Sequence, residues 1–222
     1  MRRRHFALAC APALLLRPAW SLGLTESDAN AGIRVALERG ATAAVALLGR
    51  PDGFLGNPLV KIELPGSLKD AARLLKATGQ GRKLDELVTA MNRAAEAAVP
   101  AAKPLLVKAV KDMSVEDGVK ILKGGDDSVT QFFAGKTREP LSRQFLPIVT
   151  QATEKVDLAS KYNAVAGQAS GLGLVAKEDA NIQQYVTRKA LDGLYLMIGE
   201  EEKKIRRDPV GTGSEILKKV FG

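Results

Sequence analysis

"KLDELVTAMNRAAEAAVPAAKPLLVKAVKDM", residues 83–113, is the stretch that decides the fold class. Its apolar side chains recur at intervals of three and four residues, which is the period of an amphipathic α-helix. Proline removes a backbone donor inside a helix, so Pro100 and Pro104 predict two helices that meet at a kink. The recurring apolar positions are Leu84, Leu87, Val88, Met91, Ala95, Ala98 and Val99.

In the rest of the chain, capping residues, glycines and prolines also separate periodic segments, as helix start and stop signals do. We therefore expect an all-α fold, an irregular bundle of about eight to ten short helices in a single domain over residues 24–222. Ser114 and Asp117 form a capping-box pattern at one helix start. The segment from Gly167 to Lys177 predicts a linker, and an amphipathic helix follows from about Asp179.

"GFLGNPLVKIELPGS", residues 53–67, is the one segment that departs from helical periodicity. It is rich in glycine and proline, and residues 59–64 alternate like a short strand. No second strand is available as a partner, so we expect an ordered extended loop. Its apolar side chains, Phe54, Leu59, Ile62 and Leu64, would pin it to the helices.

Gly135, Lys136 and Thr137 spell the end of a phosphate-binding P-loop. That motif needs glycine five residues before the Gly-Lys pair, because its backbone amides wrap the phosphates. Thr130 occupies that position, and two phenylalanines fill the would-be loop. The pattern instead predicts a helix that ends at Gly135 and a new helix after it.

The first residues have the anatomy of a secretory signal peptide, with Arg2, Arg3 and Arg4 before an 11-residue apolar run. We expect residues 1–21, or 1–23, to be cleaved and the protein to reach the periplasm. "RRHF" fits a twin-arginine signal and also an arginine-rich general secretory signal, and both routes stay open. The run is too short to span a bilayer, which needs about 20 residues, and no later segment approaches that length.

Cleavage would remove the only cysteine, Cys10, and the only histidine, His5. A chain without them cannot build thiolate nucleophiles, Ser-His-Asp triads or zinc sites of imidazole and thiolate. The sequence thus predicts no catalytic residue, no metal site and no cofactor of these kinds. Four arginines also leave, which lowers the formal net charge from +8 to +4.

Candidate ligand-binding residues lie in two places on predicted helices. Asn92, Arg93 and Glu96 lie within one turn of an alanine-rich helix, where they build either a polar pocket or a hydrogen-bonded contact inside the fold. Asp126, in "GGDD", begins a helix whose amides either hold an anion or are capped by Asp126 itself.

Arg206 belongs to the basic run near the C-terminus, "EEEKKIRR". Glu200 with Lys204, and Glu202 with Arg206, stand four residues apart and predict ion pairs on a solvated face. The alternative is a contact with anionic lipid heads or cell-wall polymer. Nucleic acid is not expected, because no aromatic residues interleave with the cations.

Six segments follow one another in a distinctive order: "DGFLGNPLVKIELP", "MNRAAEAAVPAAKPLL", "KGGDDSVTQFF", "KYNAV", "YVTRKALDGLYLMIGEEEKKIRRDP" and "EILKKVFG". In this order they resemble the bacterial exported domain-of-unknown-function family numbered 4197. The resemblance covers about residues 24–222. It implies an all-helical exported protein without an established activity and supplies no catalytic residues.

Three functions remain open from the sequence. The first is a non-enzymatic envelope protein that binds a protein partner, a lipid or cell-wall material. The second is a carboxylate-based hydrolase acting on envelope glycans, with acids drawn from Glu96, Asp117, Asp126 and Asp192 about 5 to 9.5 Å apart. The third is a purely structural role. The oligomeric state is not determined by the sequence.

Overall fold

The structure, a computed structural model, describes residues 26–208 apart from 78, 80, 126, 127 and 174. Over these residues the chain forms eight α-helices and two 3-10 turns, and it has no β-strand. The all-α class is therefore confirmed. The α-helices are α1 (Glu26–Leu48), α2 (Gly66–Ala77), α3 (Gly81–Ala98), α4 (Lys103–Lys111), α5 (Val115–Lys123), α6 (Ser128–Thr153), α7 (Asp157–Gly171) and α8 (Ile182–Arg207), and the 3-10 turns are Val99–Ala102 and Lys177–Asp179.

Three long helices form the centre of the bundle. Helix α8 packs along α6 and α1, and α3 packs against α6 and α8. One apolar core contains side chains from all eight helices, as in a single domain. The expectation of short helices is wrong for three of them, because α1, α6 and α8 have 23, 26 and 26 residues.

The helix α8 carries the apolar stripe expected from its sequence. Ile182, Val186, Ala190, Leu194 and Ile198 are all fully buried. Asn181 caps this helix, with its side-chain oxygen accepting from the backbone N–H of Gln184 at 3.0 Å. In the part of the chain that the structure describes, no helix is long and apolar enough to cross a membrane.

The kink between α3 and α4 is confirmed. Pro100 lies in the 3-10 turn that joins the two helices, and Pro104 lies in the first turn of α4, where its missing N–H costs nothing. Ser114 and Asp117 form the expected capping box at the start of α5, with both reciprocal hydrogen bonds present.

Helix α6 contradicts the expected helix end at Gly135. It runs without a break from Ser128 through Gly135, Pro140 and Pro147 to Thr153. Every fourth residue of α6 is buried, and each step of four advances 40° past a full turn, so the buried stripe winds around the helix. Helix α6 packs against α8, α3, α4 and α5, and this packing outweighs the local helix-breaking residues. Its members are Val129, Phe133, Thr137, Leu141, Phe145, Val149 and Thr153.

The Gly-Lys-Thr triplet consequently lies inside α6, so no phosphate-binding loop exists there. The hydroxyl of Thr137 donates to the carbonyl of Phe133 at 2.7 Å and lies 3.0 Å from the hydroxyl of Tyr195. Lys136 pairs with Asp117 at 3.6 Å.

A linker was expected to begin at Gly167, but helix α7 extends beyond that residue. The helix continues to Gly171, and the linker begins only at Leu172 and Gly173, whose φ of 74° suits a residue without a side chain. The expected signal peptide, Asp126 and the C-terminal segment from residue 209 lie outside the described residues.

Candidate functional site

Asn92 lies on α3 and is completely buried beneath the loop of residues 49–65, which joins α1 to α2. Its carboxamide oxygen accepts from the backbone N–H of Ile62 at 2.8 Å. Its carboxamide nitrogen donates to the carbonyl of Ile62 at 2.9 Å and to that of Val88 at 2.8 Å. The side chain thus makes with Ile62 the pair of bonds that a neighbouring strand would make. This explains how an extended segment exists here without a sheet.

Glu96, one helical turn further along α3, holds the start of the same loop. One carboxylate oxygen accepts from the backbone N–H groups of Phe54 and Leu55 at 3.0 and 3.1 Å. The other accepts from Arg93 at 2.6 Å, and Arg93 also reaches Asp52 at 2.8 Å. These two hydrogen bonds, to Glu96 first and Asp52 second, raise the pKa of Arg93 above its usual value.

The alternation expected for residues 59–64 is present. Ile62 is buried and Leu64 is half-buried, while Lys61 and Glu63 are exposed between them. Leu59, expected to pin the loop, is instead 64% exposed. We call Asn92, Arg93 and Glu96 the loop anchor. The structure brings these three candidates together, and their polar atoms bind the protein's own loop.

The remaining candidates lie apart from the loop anchor. Asp126 is outside the described residues, and Arg206 lies in the last turn of α8 with a side chain that the structure does not describe. The expected pairing of Glu200 with Lys204 is wrong: Lys203 pairs with Glu200 at 3.0 Å and Lys204 with Glu201 at 2.6 Å. Glu202 is only 3% exposed, so this face is not uniformly solvated.

The acids named for a hydrolase are engaged in three separate places. Glu96 belongs to the loop anchor. Asp117 caps α5, and the hydrogen bond from the backbone of Ser114 lowers its pKa. Asp192, on α8, accepts from Arg138 at 2.9 Å. Asp117 and Asp192 line different surface grooves, and no pair among the three lines one groove described here.

An apolar groove of about 330 Å³ runs between α2 and α7. Its wall includes Val165, which is 69% exposed. Lys161 stands at the rim, where it pairs with Asp157 at 2.7 Å. We call this the apolar groove; the side chains that form its wall are Leu68, Leu158, Tyr162, Val165, Ala169 and Val175.

A second groove of similar size, about 330 Å³, lies between the 49–65 loop and α8. Lys61, Lys69 and Lys189 surround it, and Tyr185 and Gly193 also line it. We call this the basic groove. A methyl group on Gly193 would lie 2.9 Å from the ring of Phe54, so this glycine lets the loop approach α8 closely.

Two tyrosines of α8 have perturbed acidity. Burial, and then the charge of Asp179, raise the pKa of Tyr185 to about 12. Its hydroxyl donates to the carbonyl of Glu63 at 2.9 Å, which ties the loop to α8. Burial also raises the pKa of Tyr195, whose ring lies 5.1 Å from the guanidinium of Arg138. Both phenols therefore stay protonated near neutral pH and act as hydrogen-bonding groups.

The sequence reasoning missed both grooves. The lysines of the basic groove come from the loop, α2 and α8, and only the tertiary fold brings them together. The apolar groove has a weak signal, namely Val165, a large apolar residue of α7 with small and polar neighbours along the chain. Over residues 26–208, with the gaps given above, no group of three or more His, Cys, Asp or Glu side chains is placed to hold a metal ion.

The comparisons with known proteins give one family. The family model described as "Protein of unknown function (DUF4197)" matches residues 23–222. No curated protein and no solved structure matches the chain. Since the model covers nearly the whole chain, the chain belongs to this family, and the resemblance seen in the sequence is confirmed.

Proposed function

We propose that this member of the DUF4197 family is a non-enzymatic binding protein of the bacterial envelope, exported to the periplasm, and that its ligand occupies the apolar groove. The observation that carries the proposal is the groove itself. Its volume of about 330 Å³ falls in the range of small-molecule sites, which begins near 300 Å³. Its walls are apolar side chains left in contact with water.

Exposed apolar surface of this kind is unfavourable in a protein without a partner. Burying it gains about 25 cal/mol for each Å² removed from water. Val165, a large apolar residue of the groove wall, remains mostly exposed. A concave shape favours an alkyl chain over a flat protein surface, and we therefore favour a lipid-like ligand over a protein partner.

The export part of the proposal rests on the sequence. The basic start and the apolar run of residues 6–16 support a cleaved signal peptide. We do not extend the proposal to glycan hydrolysis, because Glu96 is committed to the 49–65 loop and Asp117 and Asp192 line different grooves.

Native mass spectrometry of the protein purified from its own envelope fraction tests the proposal. We expect an added mass of lipid size that is absent from a Val165→Asp variant, because a carboxylate in the groove would have to be desolvated by an alkyl chain. Val115→Asp is the matched control, since Val115 is also half exposed and lies on α5, away from the groove.

A mass retained equally by Val165→Asp and wild type would place the ligand elsewhere and contradict the proposal. A bare protein in all three samples would count against a tightly held lipid. A co-purifying protein would point to the alternative occupant, a partner segment.

A further inference from the structure

We propose that the basic groove receives the anionic head of the same ligand whose chain lies in the apolar groove. The ligand would then be a single-chain amphiphile with a phosphate head group. This inference rests on the proposed function, because the apolar groove supplies half of the site.

The two grooves lie on the two sides of the first turn of α2. Leu68 lines the apolar groove, and the next residue, Lys69, lines the basic groove. Each groove also contains a tyrosine whose hydroxyl is fixed: Tyr162 donates to the carbonyl of Asp179 at 2.6 Å, and Tyr185 donates to the carbonyl of Glu63 at 2.9 Å. A chain and its head group can therefore occupy both grooves by crossing α2 at one point.

The charges of the basic groove favour an anion. Its two acids are already engaged, since Glu63 lies 3.9 Å from Lys69 and Asp192 lies 2.9 Å from Arg138. Lys61 and Lys189 have no carboxylate within ion-pair distance among the residues that the structure describes. The ammonium of Lys189 lies 5.9 Å from the centre of the Tyr185 ring. Both lysines line a concave surface, where the electrostatic potential of neighbouring charges is focused.

Lysine side chains can bind a phosphate as point charges. An ammonium is a compact charge with three rotatable donors, and it does not require the in-plane, two-point geometry that arginine uses with carboxylates. Ammonium groups from the loop (Lys61) and α8 (Lys189) approach from two elements, as the several oxygens of one phosphate allow, and Lys69 of α2, which pairs with Glu63, lines a third side. Salt should weaken such binding, because these side chains are solvated.

Displacement of the uncharged fluorophore N-phenyl-1-naphthylamine tests this inference. Decyl phosphate and 1-decanol have the same alkyl chain and differ in the head group. We expect both to displace the fluorophore, with decyl phosphate stronger by about tenfold, as a few exposed charge contacts would give. Inorganic phosphate alone should not displace it, because it leaves the apolar groove unfilled.

The double variant Lys61→Gln/Lys189→Gln should weaken decyl phosphate by about fivefold and leave 1-decanol unchanged. The matched control is Lys103→Gln/Lys123→Gln, which removes two exposed charges from α4 and α5. It should leave both affinities unchanged.

The outcomes separate the two proposals. Equal displacement by decyl phosphate and 1-decanol, with no effect of the lysine substitutions, would overturn the head-group inference and leave the proposed function intact. If the fluorophore binds and neither compound displaces it, or if it does not bind, the proposed function fails as well. An equal loss of affinity for decyl phosphate in both double variants would show that only the net charge of the protein matters. That result would also contradict the basic groove as the site.

Discussion

The 49–65 loop and the apolar groove are two surface regions built on opposite principles. The loop has little regular structure, yet backbone groups of Phe54, Leu55 and Ile62 bond to the buried side chains of the loop anchor, and Phe54 and Ile62 are buried. The apolar groove is walled by two regular helices, yet it leaves Val165 in water. The irregular loop thus has its hydrogen bonds satisfied, whereas the regular helices leave apolar side chains exposed to water. We infer that the loop anchor stabilises the fold and that the apolar groove binds the ligand.

Removing Glu96 should produce the largest loss of stability. Glu96→Ala leaves the buried N–H of Phe54 and that of Leu55 without an acceptor, and each such donor costs roughly 1–3 kcal/mol. We expect the free energy of unfolding to fall by about 3 kcal/mol in urea titrations. Glu86→Ala, an exposed position on the same helix, should change it by less than about 0.5 kcal/mol. Equal small effects would contradict the anchor.

Asn92→Ala should follow, with a loss of about 2 kcal/mol, because it removes three hydrogen bonds and leaves both polar groups of Ile62 unpaired. Hydrogen exchange locates the effect. The amide of Ile62 should lose its protection in the variant, while amides in the centre of α6 keep theirs. Unchanged protection at Ile62 would show that the carboxamide does not replace a partner strand.

Gly193→Ala tests the close approach of the loop to α8. The new methyl group would lie 2.9 Å from Phe54 and 3.2 Å from Val60, so the cost of overpacking should exceed the gain from removing a mid-helix glycine, and we expect a net loss of about 1 kcal/mol. Gly135→Ala is the contrasting variant. It meets open space in the middle of α6 and should stabilise the protein by up to about 1 kcal/mol, as expected for removing a mid-helix glycine. Thermal unfolding of both variants measures the difference in sign.

Tyr185 gives an effect that is seen only at high pH. Its folded-state pKa of about 12 exceeds the ordinary value of 10. The unfolded chain therefore releases the proton first as pH rises. The stabilisation by Tyr185 is complete below pH 10 and is lost between pH 10 and 12. The stability difference between wild type and Tyr185→Phe should shrink across that window. A difference that stays constant to pH 12 would contradict the tie between Tyr185 and Glu63.

The parts of the fold that depend on local periodicity were predictable from the sequence. The α3–α4 kink at Pro100, the capping box at Ser114 and the buried stripe of α8 all arise from neighbours along the chain. The continuity of α6 through Gly135 was not predictable in this way. Its buried residues wind around the helix and meet several partners, so no single apolar face shows in the sequence.

The candidate residues were only half predictable for a similar reason. The spacing of Asn92 and Glu96 placed both on one face of α3, and an alanine-rich helix implied close packing around them. What they bind depends on the path of the 49–65 loop, which is a tertiary property. The lysines of the basic groove are separated by more than a hundred residues, between Lys61 and Lys189, and no local pattern connects them.

The most direct test of the comparison is one titration of N-phenyl-1-naphthylamine on three proteins: wild type, Val165→Asp and Asn92→Ala. Stability is measured in parallel, and binding is measured well below each unfolding midpoint. We expect Val165→Asp to lose binding at unchanged stability, and Asn92→Ala to lose stability at unchanged affinity. Lost affinity in Asn92→Ala with full binding by Val165→Asp would place the ligand site at the loop anchor and contradict the account.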